Sequence, residues 1–189
     1  MKKPSSPNNS TYVALLRGIN VGGNKKVPMA ELKKTLEKLG FKNVRTLLAS
    51  GNVVFEAASD NTGELLKTIT TALEKKFKFS IPVILLPFSG IEKIIELEPF
   101  KKIKLTPETR LYVTFLSEKT KSKLPLPYHS PDDSFQILSM NDRAIFSVLD
   151  LSKTQTPDVM NILEKEFGKN ITTRNWNTVE KIGRTLEIK

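Results

Sequence analysis

The sequence predicts an α+β protein made of two ferredoxin-like (βαββαβ) units in tandem, the second one irregular and followed by an extra C-terminal helix. Three observations lead to this fold class. Short apolar runs, which are typical of buried strands, alternate with amphipathic stretches of helical period. In the first half their order is β-α-β-β-α-β, the split βαβ arrangement. The second half repeats that order loosely, and only the order of elements relates the two halves.

Length and composition limit the organisation of the chain. Its 189 residues, 39% of them hydrophobic, suit one large domain or two small ones of about 90 residues. We divide it into a disordered tail (residues 1–10), an N-terminal ferredoxin-like unit (residues 11–88), and a part with a linker helix, the second unit and the terminal helix (residues 89–189). No run approaches the roughly 18 apolar residues of a membrane span. The basic start lacks the apolar segment of a signal peptide, and there is no cysteine. We therefore expect a cytoplasmic protein without a membrane partner.

Apolar runs, apolar residues at helical spacing, and the positions of proline and glycine predict the strands and helices of the first unit. Apolar runs predict four strands, at residues 12–16, 44–48, 53–55 and 81–86. Apolar residues at helical spacing predict one helix between Pro28 and Gly40, and a second over residues 65–77. Proline suits the first turn of a helix, and glycine is common where a helix ends.

This strand order has a geometric consequence for two polar segments. Right-handed crossovers make strand one parallel to strand two and strand three parallel to strand four, so strand three lies antiparallel between strands one and two. Residues 17–20, which follow strand one, and residues 50–52, which precede strand three, should therefore meet at one end of the sheet. Two converging polar segments with glycines are a better candidate site than either alone.

The second half is more irregular. We expect a connecting helix at residues 90–98, a strand at residues 110–116 and a short helix at residues 118–124. Prolines then impose an irregular crossing that leads to a hairpin, a helix from Pro157 to Gly168, and a short strand at Ile171. A last helix opens with Thr173 as its N-cap.

Five ordered motifs carry a resemblance to a known family. They are residues 17–23, Val27-Pro28-Met29, Leu39-Gly40-Phe41, residues 50–55 and residues 173–179. Together they resemble the bacterial family of domain of unknown function 1697 (DUF1697), over nearly the whole chain. The resemblance implies a cytoplasmic bacterial protein of α+β architecture and no established activity. One departure is Leu47-Leu48-Ala49, which stands where the family often has Tyr-Ile-Gln.

The charge and the polar segments together suggest an anionic ligand. Net charge is +10, with a sequence pI near 9.7. Glycines let backbone N–H groups approach an oxyanion, and neighbouring cations add charge. A cation in the first turn of the last helix opposes the helix dipole, which calls for an acidic partner or an anionic ligand there. The predicted ligand-binding residues are Arg17, Asn20, Lys25, Ser50, Asn52 and Arg174. The predicted function is a binding module for nucleic acid or a phosphorylated small molecule.

Other interpretations remain open from the sequence. The glycines at residues 18, 22 and 23 fit a long turn without a ligand, and the basic charge fits simple solubility. An enzyme acting on a phosphorylated substrate would use Arg17 and Arg174 for electrostatic stabilisation. A protein-interaction module is a third possibility. Trp176 has the spacing of a core residue, and the oligomeric state is left open.

Several kinds of site are not predicted. Neither a P-loop nor a dinucleotide fingerprint is present, so we expect no cofactor. One histidine, His129, and scattered carboxylates such as Asp132 and Asp133 provide no ligand spacing for a metal and no serine triad.

RNA-recognition domains share this strand order and stack bases on aromatics of strands one and three. Tyr12 is suitably placed on strand one. Strand three, however, has Asn52 and Val54 where aromatics would be needed, and Phe55 is expected in the core, so the match is poor.

Overall fold

The structure, a computed structural model, describes residues 9–154 and 156–186. In this part the chain is α+β, which confirms the predicted class, and it contains two antiparallel sheets and five α-helices. It divides into two compact units. Among the described residues, the first extends to Ile91 and also includes Thr185 and Leu186, and the second comprises Glu92–Arg184. The predicted tail lies outside the described residues except for its last two, and the first strand already begins at Ser10.

The first unit has a four-stranded sheet, with helices between and after its strands along the chain. Its strands are β1 (Ser10–Leu16), β2 (Lys42–Leu47), β3 (Asn52–Ala57) and β4 (Val83–Pro87), in the order β2-β3-β1-β4. Its helices are α1 (Met29–Glu37) and α2 (Thr62–Phe77), and α3 (Phe88–Glu96) follows β4. β3 pairs antiparallel with both β1 and β2, which confirms the strand arrangement expected from right-handed crossovers.

Helix α2 forms where the sequence has both an apolar face and an N-capping residue. In α2, Leu65, Ile69 and Leu73 recur at helical spacing and are buried. Its N-cap is Asn61, whose side-chain oxygen accepts hydrogen bonds from the amides of Gly63 and Glu64. The apolar face and the cap therefore agree on where this helix begins and which side it buries.

An aromatic cluster lies at the centre of this core. The rings of Phe41 and Phe55 are stacked with their centroids 4.5 Å apart. Tyr12 is 3% exposed, and its hydroxyl donates to the carbonyl oxygen of Ser59 at 2.9 Å. The suggestion that Tyr12 is placed to stack a nucleobase is therefore wrong, because the ring belongs to the core.

The second unit contains a five-stranded sheet. Its strands are β5 (Thr109–Leu116), β6 (Tyr128–His129), β7 (Phe135–Met140), β8 (Ala144–Asp150) and β9 (Ile171–Asn175), in the order β6-β7-β8-β5-β9. α4 (Thr156–Phe167) precedes β9, and α5 (Trp176–Gly183) follows it. A 3-10 turn comes next at Arg184–Leu186, and its last two residues belong to the first unit. Buried residues such as Ile137, Leu149 and Leu163 form its core.

The short helix predicted at residues 118–124 is absent. The backbone amides of Lys123 and Leu124 donate instead to the side-chain carboxylate of Glu166, at 2.5 and 3.2 Å. Pro125 also disfavours helical backbone in the residue before it. A tertiary hydrogen bond thus takes the place of the helical one.

The last helix begins at Trp176, so the predicted start at Thr173 is wrong. Residues 171–175 are paired with β5 as an edge strand. The hydroxyls of Thr114 and Thr173 are 2.8 Å apart across this pair. β-Branched side chains fit a pleated sheet well, and here they hold the segment as a strand rather than as the first helical turn.

No helix in the described residues combines the length and apolar character needed to cross a bilayer.

Candidate functional site

The two polar segments of the first unit meet at one end of its sheet, as predicted. Leu15 pairs with Asn52, and the amide of Leu16 donates to the carbonyl oxygen of Gly51 at 2.8 Å. Gly51 has a φ of +76°, and a Cβ built on it would lie 2.6 Å from the Ile19 Cδ1 and 2.8 Å from the Leu16 Cβ. Only glycine satisfies both the backbone angle and the close approach, so the packing of the two segments depends on this residue.

Asn20 holds the glycine loop, the name used here for residues 17–28. Its side-chain nitrogen donates to the carbonyl oxygens of Val27 at 3.0 Å and Ala49 at 2.8 Å. Its side-chain oxygen accepts from the amide of Val27 at 2.8 Å. Both N–H donors of the amide group are therefore used within the chain. Asn20, a predicted ligand-binding residue, therefore connects the two polar segments by side-chain hydrogen bonds in this structure.

The glycines of the loop form a small hairpin. Val21 and Asn24 form an isolated antiparallel bridge, with the amide of Asn24 donating to the carbonyl oxygen of Val21 at 3.2 Å. Gly22 and Gly23 lie between them with φ values of +58° and +77°. Positive φ at both central residues is the requirement of a type I′ turn, which glycine satisfies at no steric cost. The turn alone accounts for these two glycines.

The second polar segment is also tied down internally. Asn52 is fully buried, and its side-chain nitrogen donates to the carbonyl oxygen of Leu47 at 2.9 Å and to the Ser50 hydroxyl at 3.1 Å. Ser50 itself is exposed. The family departure at residues 47–49 leaves these contacts intact, because Leu47 and Ala49 contribute main-chain carbonyls rather than side chains.

The glycine loop also carries three cations, Arg17, Lys25 and Lys26. Lys25 and Lys26 are exposed, and no ion pair within the described residues includes either of them. Arg17 is half-buried at the start of the loop, and its amide donates to the carbonyl oxygen of Pro82 at 2.9 Å. Between residues 10 and 30, and again between residues 38 and 55, the sequence has cations but no carboxylate. These segments therefore carry uncompensated positive charge in sequence.

Arg174 belongs to the second unit and has a different environment from the one expected. It lies within β9 and is 8% exposed, so the argument from a cation in a first helical turn is wrong. One terminal nitrogen of its guanidinium donates to the Thr172 hydroxyl at 2.8 Å and the Thr173 carbonyl oxygen at 2.9 Å. Burial lowers the pKa of Arg174 to about 10. A side chain this deeply buried is better suited to organising β9 than to contacting a ligand.

The residues that follow Arg174 line a cavity. A concave site of about 320 Å³ in the second unit is bordered by Asn175, Trp176 and Asn177 together with Arg110 and the turn that precedes it. The indole of Trp176 is partly exposed rather than enclosed in the core. Sequence reasoning selected this motif but missed the cavity, since spacing along a helix does not show which neighbours leave a side chain open.

The histidine and its acidic neighbours form a self-contained turn in the second unit. His129 Nδ1 lies 2.9 Å from an Asp133 carboxylate oxygen, and the hydroxyls of Ser130 and Ser134 donate to Asp132 at 2.6 and 2.8 Å. These hydroxyl hydrogen bonds lower the pKa of Asp132 to about 2. Within the described residues, no group of three or more histidine, aspartate or glutamate side chains is placed to hold a metal ion.

A model of one protein family matches residues 10–146 of the chain, and that family is described as a protein of unknown function, DUF1697. The chain belongs to the DUF1697 family. No curated protein matches it significantly. A solved structure, that of the conserved bacterial protein SP0830 from Streptococcus pneumoniae, is similar at 25% sequence identity and a TM-score of 0.68. The similarity covers 94% of this chain and 99% of that one.

The two comparisons cover the candidate residues unequally. The DUF1697 match includes the glycine loop and residues 50–52 but stops before β9 and α5. The likeness to the streptococcal protein extends over nearly the whole chain, so the fold relationship reaches both units. Neither comparison assigns a ligand to either site.

Proposed function

We propose that this DUF1697 protein is a binding module for an anionic ligand, either nucleic acid or a phosphorylated small molecule, and that the glycine loop contacts it. The observation that carries the proposal is the pair Lys25 and Lys26, exposed beside a turn and unpaired within the described residues. Exposed ammonium groups attract phosphate, and hydrogen bonds that already fix the loop backbone spare the cost of ordering it on binding. A cytoplasmic location remains part of the same proposal.

The backbone of the turn supports the same ligand class. The amides of Gly22 and Gly23 make no hydrogen bond to any described residue, and a Cβ on either glycine would meet nothing within 4 Å. Exposed amides beside cations are a suitable environment for an oxyanion. Asn20 and Asn52 support this arrangement indirectly, because their hydrogen bonds hold the segments that carry the turn.

A comparison of charge-reversal variants tests the proposal. Lys25→Glu with Lys26→Glu should weaken binding of a labelled single-stranded RNA or DNA by about tenfold or more, and should lower the slope of log affinity against log salt by about two units. A matched control reverses Lys67 and Lys75, two exposed lysines of α2 that have no ion pair within the described residues. Equal losses in both double variants would show that only net charge matters and that the loop is not the site.

Small ligands need their own assay. A thermal-shift screen with sugar phosphates and nucleotides should show stabilisation that the loop double variant loses and the α2 double variant keeps. Arg17→Ala should also weaken whichever ligand binds. If that variant binds with unchanged affinity, Arg17 does not contribute to the site.

A finer description of the fold accompanies this proposal. We propose that both units are variants of one βαββαβ plan. The order β2-β3-β1-β4 in the first unit supports it, as does the corresponding order β7-β8-β5-β9 in the second. In the second unit the chain between β5 and β7 contains no helix and adds the short edge strand β6.

A further inference from the structure

The second unit contains a cavity built around the single tryptophan of the chain. Trp176 borders two adjoining concave sites, of about 320 and 450 Å³, which share Leu105, Leu111 and Asn177 as well. Cavities of a few hundred cubic ångströms are typical of small-molecule sites. We call this pair of sites the tryptophan cavity. It lies within one unit and does not depend on the glycine loop.

The indole is held as a platform. Phe100 meets Trp176 edge-on, with ring centroids 5.2 Å apart and an interplanar angle of 68°. Edge-to-face contacts of this kind are favourable and fix the orientation of the rings. Leu105, on the rim, is 65% exposed, so an apolar side chain is left in water where a ligand could cover it. A partly exposed aromatic face with apolar neighbours suits a planar ligand.

Two amides beside the indole have unused hydrogen-bonding capacity. Asn175 is the N-cap residue of α5, yet its side chain makes no capping hydrogen bond. Neither Asn175 nor Asn177 has a side-chain hydrogen bond to any residue that the structure describes, and both are exposed. Each amide group has two donors and one acceptor. Together they suit the polar edge of a planar heterocycle.

Arg110 supplies a positive charge to the same cavity. One of its terminal nitrogens donates to the carbonyl oxygens of Pro107 at 2.7 Å and Thr109 at 2.9 Å, which anchors the guanidinium over the preceding turn. Its remaining N–H groups make no hydrogen bond within the described part of the chain. A guanidinium held at one nitrogen can present the others to phosphate in a fixed geometry.

We infer that the tryptophan cavity binds a nucleotide, with the base stacked on Trp176, its polar edge bonded to Asn175 and Asn177, and a phosphate bonded to Arg110. Nucleotides combine a planar aromatic face, a hydrogen-bonding edge and an anionic group, which are the three features that this cavity matches. The nucleotide is either a free mononucleotide or one unit of a single strand, since both present the same chemistry.

The single tryptophan makes the site directly observable. Titration of the full chain with adenosine monophosphate or short oligoadenylate, under selective tryptophan excitation, should give saturable quenching. Inorganic phosphate alone should give none. The tighter of the two nucleotide ligands identifies the source. Binding at the glycine loop is read separately by its charge-reversal variants, because the first unit has no tryptophan.

Variants inside and outside the tryptophan cavity test whether the ligand binds there. Asn177→Ala should weaken the quenching affinity about tenfold, while Asn161→Ala, an exposed asparagine of α4 outside the cavity, should leave it unchanged. Asn177→Ala should also leave the urea midpoint of unfolding unchanged, because its amide has no partner to lose. Arg110→Ala should weaken nucleotides more than it weakens adenosine.

Three results would overturn the inference. They are the absence of saturable quenching with both nucleotide ligands, equal quenching by inorganic phosphate, and quenching that survives Asn177→Ala and Arg110→Ala unchanged.

Discussion

Asn20 and Asn52, in the two polar segments of the first unit, use their side-chain amides in the opposite way from Asn175 and Asn177 in the second unit. Asn20 donates both of its side-chain N–H groups to main-chain carbonyls, and Asn52 is buried with two hydrogen bonds from its side-chain nitrogen. Asn175 and Asn177 have no side-chain hydrogen bond within the described residues. The difference shows that the presence of a polar side chain in the sequence does not tell whether that side chain is free to bind a ligand.

The reason is that an amide has a fixed number of donors and acceptors. Where a loop with positive φ residues packs against another segment, regular pairing leaves some backbone groups open, and nearby side chains can satisfy them. Once Asn20 has done so, little of its capacity remains for a ligand. A short strand that leads directly into a helix, as β9 leads into α5, has less unpaired backbone to satisfy and leaves its amides open.

Gly51 offers the largest expected effect and tests how tightly the first of these regions is packed. Gly51→Ala should lower the free energy of unfolding by about 2–5 kcal/mol, because it combines left-handed backbone strain with overlap against Ile19 and Leu16. Gly22→Ala, at a similar φ but in open space, should lose only about 1–2 kcal/mol. Urea denaturation of both variants checks this, and equal losses would mean that the close approach at Gly51 costs nothing.

Asn20 tests whether the amide hydrogen bonds matter in themselves. Asn20→Gly keeps the φ of +56° accessible and removes three hydrogen bonds, so it should lower the free energy of unfolding by about 1–2 kcal/mol. Asn24→Ala is the control in the same loop, since its side chain has no hydrogen bond within the described residues, and we expect a change within about 0.5 kcal/mol. If Asn24→Ala lowered the free energy of unfolding as much as Asn20→Gly, that result would contradict the conclusion that the Asn20 hydrogen bonds hold the two segments together.

Asp132 tests whether internally hydrogen-bonded polar side chains are confined to the first unit or also occur in loops of the second. Its substitution has the smallest expected effect on stability. Its folded pKa, about 2, lies below the ordinary value of 3.8 because serine hydroxyls donate to the carboxylate. A depressed carboxyl pKa stabilises the folded state above the unfolded pKa, and this contribution is lost as pH falls through the folded one. Asp132→Asn should therefore be less stable than the parent above about pH 4, with the gap closing toward pH 2.

Thermal unfolding of both proteins across that pH range measures the effect. A constant gap would show that the charge of Asp132 is not the source. A closing gap would show that the second unit, too, contains a polar turn used for structure, so that residues 175–177 stand out as the open ones.

Much of the fold follows from local pattern. The spacing of Leu65, Ile69 and Leu73 predicts α2, and the order of elements predicts that β3 lies between β1 and β2. The two errors in the second unit come from tertiary contacts that overrode local preference. Glu166 captured the amides of residues 123 and 124, and pairing with β5 drew residues 173–175 into a strand.

The candidate site divides in the same way. The sequence by itself determined that residues 17–20 and 50–52 meet, because strand order and crossover handedness leave one arrangement, and it determined that this region has cations without carboxylates. Only the tertiary structure decided which polar side chains remain open. That outcome depends on distances between residues far apart in the chain, such as Asn20 to Ala49 and Trp176 to Phe100, and no local period encodes them.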